Sequence, residues 1–366
     1  MKPETDAGSA PRRVLVMAPN WLGDIIMALP ALADVRRHWP QARLAVAIRG
    51  AFAPLLECVP GVDARVPLAD GGGLRALPLT ASDAARLRDA GPDLALLLPN
   101  SFRAALLTHR AGIPERWGYR SDLRGPLLTR AVRRPAGRRH QARYYQDLTE
   151  ALGIARGPLQ PALTVPGEAR ARAAALLQQQ GWTGERLIGL APGAAYGWAK
   201  RWPPDRAGLL AAWCLRDLDV RPVLVGARGD RASADEVRRA FTRSVRADET
   251  GGLIDLVGKT DLLTLTGVLS SCAAFVANDS GAMHLACALG VPVTAMFGPT
   301  REWATAPLPP AGGPPPRILT HEVFCRPCML RNCPIDHRCM TGIGTDAVLA
   351  SVAAQVASRT AEGPAA

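Results

Sequence analysis

Two stretches of the sequence place polar side chains where a parallel strand would meet the helix that follows it. In the second half, the apolar run 273–277 leads into Asn278-Asp279-Ser280-Gly281 and then into a helical pattern. Asp279 and Ser280 are favoured N-cap residues, and Gly281 lets a ligand approach the backbone closely. A helix N-terminus at the end of a parallel strand presents free N–H groups to an anion. The pattern predicts either such an anion site or an ordinary capped turn.

Further polar groups follow neighbouring strands of the same half. Lys200 and Arg201 lie in a loop rich in glycine and tryptophan, and Asp230 follows the next strand. A lysine near a helix N-terminus suits a diphosphate, and a carboxylate at an adjacent strand end suits a ribose diol. The alternative for Lys200 is a solvated surface lysine. His284, one helical turn inside, either reaches a bound phosphate or is a core histidine.

In the first half, Asp24 follows Gly23 in the loop between a strand at 14–18 and a helix that extends to His38. A carboxylate in this position could act as general base on an acceptor hydroxyl. The residues alone favour the other interpretation, an aspartate that interacts with the dipole of the helix N-terminus. The loop lacks the G-x-G-x-x-G of dinucleotide sites and the G-K-[ST] of Walker loops, so neither motif is supported.

Four cysteines are concentrated near the end of the chain, with the spacing C-x2-C-x4-C-x5-C. They are Cys325, Cys328, Cys333 and Cys339. Four thiols so close in sequence could form a structural zinc site, although the spacing is not that of a standard zinc finger or ferredoxin. Redox-sensitive thiols and inert free thiols are the alternatives.

The totals favour a globular protein of two domains, with 366 residues and a hydrophobic content of 48%. The net charge of +12 indicates an anionic partner: nucleic acid, an anionic membrane surface or a phosphorylated substrate. No stretch approaches the roughly 20 apolar residues of a membrane span, and residues 1–12 lack the apolar core of a secretory signal. We therefore expect a cytoplasmic protein with reduced thiols and a disordered tail at residues 1–12.

Strands alternate with helices in both halves, which is typical of an α/β fold with two doubly wound parallel sheets facing each other. A proline-containing linker at 158–166 separates the halves. The arginine-rich region 116–140 and the Pro/Gly-rich stretch 308–316 show no periodicity, and we expect irregular structure in both. A last helix is predicted at 345–358.

Six segments, in the same order, resemble glycosyltransferase family 9. They are NWLGDIIMALPAL, LLPNSFRAALL, AGIPERWGYRSDLRGPLLT, APGAAYGWAKRWP, LVGKTDLLTLTGVLSSC and VANDSGAMHLACALGVPVTAMFGPT. The resemblance implies the fold called GT-B, two Rossmann-like domains with a cleft between them. The acceptor-binding domain would span 13–165 and the ADP-sugar-binding domain 166–344. A helix at 345–360 would pack back on the first domain.

The resemblance also implies a reaction: inverting transfer of L-glycero-D-manno-heptose from ADP-heptose to the first heptose of the lipopolysaccharide inner core. The acceptor would be Kdo-lipid A bearing one heptose, at the cytoplasmic face of the inner membrane. The protein would be peripheral there, with the basic region 116–140 facing anionic groups of the acceptor and of the membrane surface. No cofactor would be required for catalysis.

Matching the motifs residue by residue implies a role for each of several side chains. Asp24 would be the general base, and Lys200 would steady the leaving diphosphate. The donor site would comprise Lys200, Arg201, Asp230, Asp279, Ser280, Gly281, Met283 and His284. The acceptor site would comprise Asn20, Asn100, Ser101, Arg120 and Arg124. Members of the family often carry an acid where Ala195 stands, so the detail of that loop stays open.

Two other functions remain as alternatives. One is a GT-B enzyme that acts on another nucleotide sugar, as a transferase or an epimerase, which product analysis with ADP-heptose distinguishes. The other is a basic nucleic-acid-binding protein whose cysteines form a zinc module. The scarcity of lysine and aromatic residues in the basic region argues against nucleic acid as a partner.

Overall fold

Two parallel sheets, one in each half of the chain, organise the computed structural model. The structure describes residues 10–69 and 76–361, so most of the predicted N-terminal tail lies outside the described residues. The chain divides into two units between Leu159 and Gln160, inside the linker at 158–166. Within the described ranges, no helix combines the length and apolar character needed to cross a membrane.

The first unit alternates strands with helices. Its described strands are β1 (Arg13–Met17), β2 (Arg43–Arg49), β3 (Ala64–Leu68), β4 (Leu94–Leu97), β5 (Glu115–Arg120) and β6 (Arg130–Arg133). Its described helices are α1 (Leu22–His38), α2 (Ala76–Asp89), α3 (Phe102–Arg110) and α4 (Gln141–Ala151).

The second unit repeats the alternation. Its described strands are β7 (Leu187–Ala191), β8 (Arg221–Leu224), β9 (Ile254–Asp255), β10 (Cys272–Asn278), β11 (Val293–Phe297) and β12 (Arg317–Thr320). Its described helices are α5 (Gly167–Gln179), α6 (Pro204–Asp217), α7 (Arg231–Ser244), α8 (Leu262–Ser270), α9 (Gly281–Ala288), α10 (Glu302–Thr305), α11 (Arg338–Thr341) and α12 (Thr345–Ala361).

Both sheets have the strand order of a Rossmann fold. The first is β3-β2-β1-β4-β5-β6 and the second is β12-β11-β10-β7-β8-β9, and all the paired strands are parallel. The order reverses between β1 and β4 in the first sheet and between β7 and β10 in the second. Ligands of open α/β sheets bind beyond the carboxyl ends of the strands at such a switch point. The predicted pair of doubly wound sheets is confirmed.

The central strands are continuous apolar runs because helices cover both faces of each sheet. Leu15 of β1 and Leu97 of β4 are fully buried in the first unit. Ile188 of β7 and Phe275 of β10 are fully buried in the second. These buried strands form the rigid part of each unit, and the loops that follow them carry the polar residues singled out in the sequence.

The arginine-rich region 116–140 is not irregular, as the sequence suggested, because β5 and β6 form within it. Arginine side chains there cover the sheet and bind the backbone of the turn between the two strands. Arg116 donates from Nε to the carbonyl of Leu127 at 2.7 Å, and the Arg130 guanidinium lies 5.0 Å from the Trp117 ring centre. Long basic side chains can cover apolar surface in this way while their charged ends stay in contact with water. The arginine-rich composition therefore gave no indication of β5 and β6.

The last helix, α12, packs on the sheet of the second unit, and its predicted packing on the first domain stays a prediction. Its apolar face lies in the core of the second unit, through one valine per turn: Val348, Val352 and Val356. Thr294 of β11 donates from Oγ1 to Gln355 Oε1 at 2.8 Å and lies 2.7 Å from Ser351 Oγ. A buried apolar stripe, together with the hydrogen bonds that Thr294 forms with Ser351 and Gln355, fixes the helix on this sheet.

Candidate active site

A lysine–aspartate ion pair lies at the switch point of the second sheet. Lys200, in the loop after β7, donates from Nζ to Oδ2 of Asp279, directly after β10, at 2.6 Å. Thr300, in the loop after β11, donates from Oγ1 to the same oxygen at 2.7 Å. The side chains of Lys200 and Asp279 are only 12% and 7% exposed. Lys200 is therefore not a solvated surface lysine.

The end of β10 also fixes the loop that carries the lysine. Asn278 accepts a hydrogen bond at Oδ1 from the backbone N–H of Trp202, at 2.9 Å. It donates from Nδ2 to the carbonyls of Pro192 and Gly193, at 3.1 and 3.2 Å. Because Asn278 is 1% exposed, these bonds are shielded from water and hold the loop against the neighbouring strand end.

Helix α9 begins directly beyond the ion pair. Ser280 is its N-cap, as predicted, and its Oγ accepts from the backbone N–H of Met283 at 3.4 Å. Ser280 and Gly281 are partly exposed, whereas Met283 and His284 are buried, which agrees with the core alternative for His284. The free N–H groups of the first turn carry positive partial charge, so an anion beside Lys200 would meet two sources of positive potential.

Asp230 lies where the ends of β7 and β8 meet. Its Oδ2 accepts from the backbone N–H of Ala227 at 2.9 Å. A Cβ atom added at Gly193 would lie 2.0 Å from Asp230 Oδ1, and one at Gly226 would lie 3.0 Å from Oδ2. Both glycines are therefore needed for the carboxylate to approach the two loops. In the same region, Arg201 has a buried Nε with no hydrogen-bond partner among the described residues.

The switch point of the first sheet carries a carboxylate that has a buried tyrosine among its partners. Asp24 lies in the first turn of α1, and the hydroxyl of Tyr145, in α4, donates a hydrogen bond to it. Tyr145 is almost fully buried. This burial, followed by the negative charge of Asp24, raises the pKa of the Tyr145 phenol well above its ordinary value. Tyr145 therefore stays a hydrogen-bond donor at neutral pH.

The predicted acceptor residues Asn100 and Ser101 lie at the same switch point, after β4. Ser101 caps α3 through Oγ, which accepts from the backbone N–H of Ala104 at 3.3 Å. Asn100 donates from Nδ2 to the hydroxyl of Tyr144 at 2.8 Å. Asn20, after β1, is exposed. Their acceptor role stays a prediction, but the first sheet does bring these residues to one edge.

The predicted acceptor pair Arg120 and Arg124 is divided by the fold. Arg120 is exposed, but Arg124 is fully buried. Arg124 donates from Nε to the carbonyl of Tyr119 at 2.9 Å and from Nη1 to the carbonyl of Pro99. Burial lowers the pKa of Arg124 to about 10, so it remains a cation at neutral pH. Its guanidinium fastens the turn after β5 to the loop after β4, and its acceptor role stays a prediction.

The four clustered cysteines do not form the zinc site that their number suggested. They line one small cavity of about 20 Å³ together with His337. Within residues 10–69 and 76–361, however, no group of three or more His, Cys, Asp or Glu is arranged to hold a metal ion. Cys339 is buried at the start of α11, whereas Cys328 is exposed.

Three residues that contact the site were not singled out in the sequence. Tyr145 is placed by the packing of α4, and Tyr196 contributes a ring centre 4.6 Å from Lys200 Nζ. Thr300 had a detectable signal, since it follows β11 as Asp279 follows β10. The rule that strand ends converge at one edge of a parallel sheet would have found it.

Comparison with known proteins identifies relatives along most of the chain. Residues 82–337 match the family model "Glycosyltransferase family 9 (heptosyltransferase)". Lipopolysaccharide heptosyltransferase 2 of Escherichia coli (strain K12) is 31% identical over 307 residues, which cover 81% of this chain and 85% of the relative. Lipooligosaccharide heptosyltransferase 2 of Haemophilus influenzae is also 31% identical, over 81% and 86% of the two chains.

Solved structures agree with this assignment. The structure of E. coli ADP-heptose LPS heptosyltransferase II superimposes with a TM-score of 0.79 and 27% identity, covering 95% of this chain and 99% of that one. The glycosyl transferase family 9 protein of Veillonella parvula gives 0.78 at 22% identity, covering 95% and 97%, and supports the fold alone. The nucleic-acid-binding alternative is not supported. The chain belongs to glycosyltransferase family 9, has the α/β GT-B fold of that family, and is a glycosyltransferase.

Proposed function

We propose that the protein transfers L-glycero-D-manno-heptose from ADP-heptose to the first heptose of the lipopolysaccharide inner core. The observation that carries the proposal is the buried Lys200–Asp279 pair beside the N-terminus of α9, in a chain of this family. The heptosyltransferase names of the relatives support the sugar, and the segments 99–102 and 199–203 resemble the second heptosyltransferase more than the first. Another nucleotide sugar is the alternative donor.

In this proposal the second unit binds the donor. The bond between the anomeric carbon and the diphosphate oxygen breaks, and ADP leaves with the electron pair. Negative charge grows on the diphosphate as this happens. Lys200 and the N–H groups at Ser280 and Gly281 would stabilise that charge, so catalysis would need no metal ion. Asp230 would hold the ribose hydroxyls, and Arg201 Nε would gain an anionic partner.

The first unit would bind and activate the acceptor. Asp24 would take the proton from the acceptor hydroxyl while its oxygen attacks the anomeric carbon from the face opposite ADP, which inverts that centre. Tyr145 would orient the carboxylate without neutralising it. Asn20, Asn100 and Ser101 would contact acceptor hydroxyls. Arg124 is better assigned to holding this region together than to direct contact.

The acceptor is a lipid with anionic sugars, so the enzyme would work as a peripheral protein at the cytoplasmic face of the inner membrane. The net charge of +12 favours an anionic surface, and exposed arginines such as Arg120 would pair with phosphates or Kdo carboxylates. Each such pair would contribute modestly and would weaken with salt.

The deciding experiment incubates the protein with ADP-heptose and Kdo-lipid A bearing one heptose. The expected result is an acceptor heavier by one heptosyl unit, with stoichiometric release of ADP. Parallel reactions with other ADP-sugars and with an acceptor that lacks the first heptose test donor and acceptor choice. Transfer of a different sugar in preference, or conversion of the donor without transfer, would overturn the proposal.

A further inference from the structure

The cysteine-rich segment, residues 324–337, packs against the lysine loop, residues 192–203. Hydrogen bonds to backbone carbonyls join the two. The N–H of Ala199 donates to the carbonyl of Arg331 at 3.1 Å. The hydroxyl of Tyr196 donates to the carbonyl of Met329 at 2.7 Å. The cysteine-rich motif therefore has a second candidate role, as a support for the loop that carries Lys200.

The approach of the two backbones is close enough to require a glycine. A Cβ atom added at Gly197 would lie 2.3 Å from the carbonyl oxygen of Arg331. Real Cβ contacts with backbone atoms are not that short, so any larger residue at Gly197 would push the lysine loop and the cysteine-rich segment apart. This contact fixes their separation on one side of Lys200.

His337 makes the most specific contact between them. Its Nε2 lies 2.6 Å from the carbonyl oxygen of Ala199, and because a carbonyl only accepts, Nε2 carries the proton. Its ring packs edge-on against Trp198, with centroids 4.9 Å apart. His337 also has a left-handed backbone, with φ of +60°. A non-glycine residue in this region is strained and persists only where its surroundings hold it.

The segment also contacts the other side of the ion pair. The backbone N–H of Met329 donates to the carbonyl of Pro299 at 2.9 Å, and Arg326 donates from Nε to the carbonyl of Gly298 at 2.9 Å. Gly298 and Pro299 immediately precede Thr300, which binds Asp279. The cysteine-rich segment thus bridges the loop that carries Lys200 and the loop that orients the partner of Lys200.

We propose that the cysteine-rich segment positions Lys200 for the donor diphosphate, and that His337 is the positioning residue through which it acts on the lysine loop. This inference rests on the proposed role of Lys200 in binding ADP-heptose. A lysine side chain has much rotamer freedom, and a charge must be held close to its productive position to stabilise a leaving group. Loosening the loop should therefore weaken donor use before it unfolds the protein.

Two substitutions separate the imidazole contact from the backbone strain. His337→Gly keeps a left-handed backbone accessible but removes the hydrogen bond and the ring. His337→Asn also tolerates this backbone and retains a side-chain N–H donor. We expect His337→Gly to raise KM for ADP-heptose and Kd for ADP by about three- to tenfold, the effect of losing one net hydrogen bond. His337→Asn should recover part of this loss.

The controls test whether the effect is confined to the donor. Arg338→Ala removes an exposed ion pair with Asp336, inside the segment, but keeps the His337 side chain, and it should leave KM for ADP-heptose unchanged. KM for the lipid acceptor should stay the same in every His337 variant. Thermal unfolding of each variant shows whether the fold is intact under the assay conditions.

The outcomes also separate this inference from the proposed function. If Lys200→Ala has a normal KM for ADP-heptose and a normal Kd for ADP, the donor assignment itself is wrong. If Lys200→Ala is defective while both His337 variants bind ADP and use ADP-heptose normally, only the positioning role is wrong. Equal increases in the donor and acceptor KM of His337→Gly, with a lowered Tm and no recovery in His337→Asn, would reduce His337 to a general structural residue and also overturn the inference.

Discussion

The two sheets share one strand order, and each carries an aspartate just beyond a central strand, but these two aspartates have different partners. Asp279 accepts hydrogen bonds from the ammonium of Lys200 and the hydroxyl of Thr300. Asp24 accepts from the phenol of Tyr145. The two aspartates follow different strands of the shared order, β10 and β1, and one donor at Asp279 is a cation whereas the tyrosine donor at Asp24 is neutral.

The difference in partners implies different functions for the two carboxylates. Asp279 holds the ammonium of Lys200 at 2.6 Å, so this carboxylate serves to orient Lys200. A phenol contributes a hydrogen bond but no charge, so the contact with Tyr145 orients Asp24 without neutralising it. The strand order determines where an acidic residue can lie. The residue that a neighbouring element places beside it determines the function of the carboxylate.

The largest expected effect is on turnover, when the charge of Asp24 is removed. Asp24→Asn should lower kcat by about 10²-fold or more, the scale of a lost general base. The amide keeps the size of the side chain, so Kd for ADP and Tm should change little. Steady-state kinetics with ADP-heptose, together with ADP titration, measure both. Turnover near that of the wild type in the folded variant would exclude Asp24 as the base.

Removing Lys200 tests the charged half of the comparison. Lys200→Ala should raise KM for ADP-heptose by about tenfold or more, since the diphosphate loses a positive partner. It should also lower the free energy of unfolding by about 3 kcal/mol, because Asp279 is left buried with Thr300 but without a cation. Chemical denaturation gives the second quantity.

A matched lysine serves as the control for this variant. Lys259 is exposed and donates to Gln180 Oε1 at 3.0 Å. Lys259→Ala should leave both KM and stability close to wild type, within about 0.5 kcal/mol for stability. If the two lysine variants are equally stable, the Lys200–Asp279 pair does not contribute as its burial indicates.

Tyr145→Phe tests the neutral half of the comparison and should have a smaller effect. The carboxylate of Asp24 loses a hydrogen-bond donor, so it should be less well oriented and should hold its proton to a higher pH. We expect kcat to fall by about tenfold and the acid limb of the rate–pH profile to move to higher pH. KM for ADP-heptose should not change, because the donor residues lie in the other unit.

Tyr119→Phe is the control for the loss of a buried hydroxyl. Tyr119 donates to the backbone carbonyl of Tyr144 at 2.9 Å and is 1% exposed. Both substitutions should lower stability by about 1 kcal/mol, but only Tyr145→Phe should shift the pH profile. A shift of the same size in both variants would mean that Tyr145 acts on the fold and not on Asp24.

The sequence was sufficient to place the polar loops but not to pair the residues within them. Apolar runs, N-cap residues and stop signals located the central strands and the helices around the switch points. The pairing of Lys200 with Asp279 joins residues 79 positions apart, and no local pattern specifies it. The contact of Tyr145 with Asp24 likewise depends on how α4 packs against α1, which is a property of the tertiary fold.

Most of the incorrect predictions from the sequence concern arginine residues. Region 116–140 has the composition of a solvated loop, and β5 and β6 were missed because arginines cover the edge of the sheet instead of apolar residues. The same composition made Arg124 and Arg120 look equivalent. A buried cation that binds two backbone carbonyls leaves no trace in a single sequence, because its partners are main-chain atoms present at every position.

The smallest expected effects concern these two arginines, and they should differ in kind. Arg124→Ala leaves the carbonyls of Tyr119 and Pro99 without their donor, so it should lower the free energy of unfolding by about 2 kcal/mol. Arg120→Ala should change stability by less than about 0.5 kcal/mol but raise KM for the lipid acceptor a few-fold, and added salt should shrink that difference. Arg133 is exposed at the end of β6, so Arg133→Ala removes an equal charge and controls for a general loss of attraction to the membrane. A truncated acceptor free of detergent separates recognition of the acceptor from recruitment of the enzyme to the membrane. Only a role in direct recognition leaves Arg120→Ala impaired with this acceptor. If Arg133→Ala matches Arg120→Ala on that acceptor, the basic surface acts by overall charge and Arg120 has no specific place in the site.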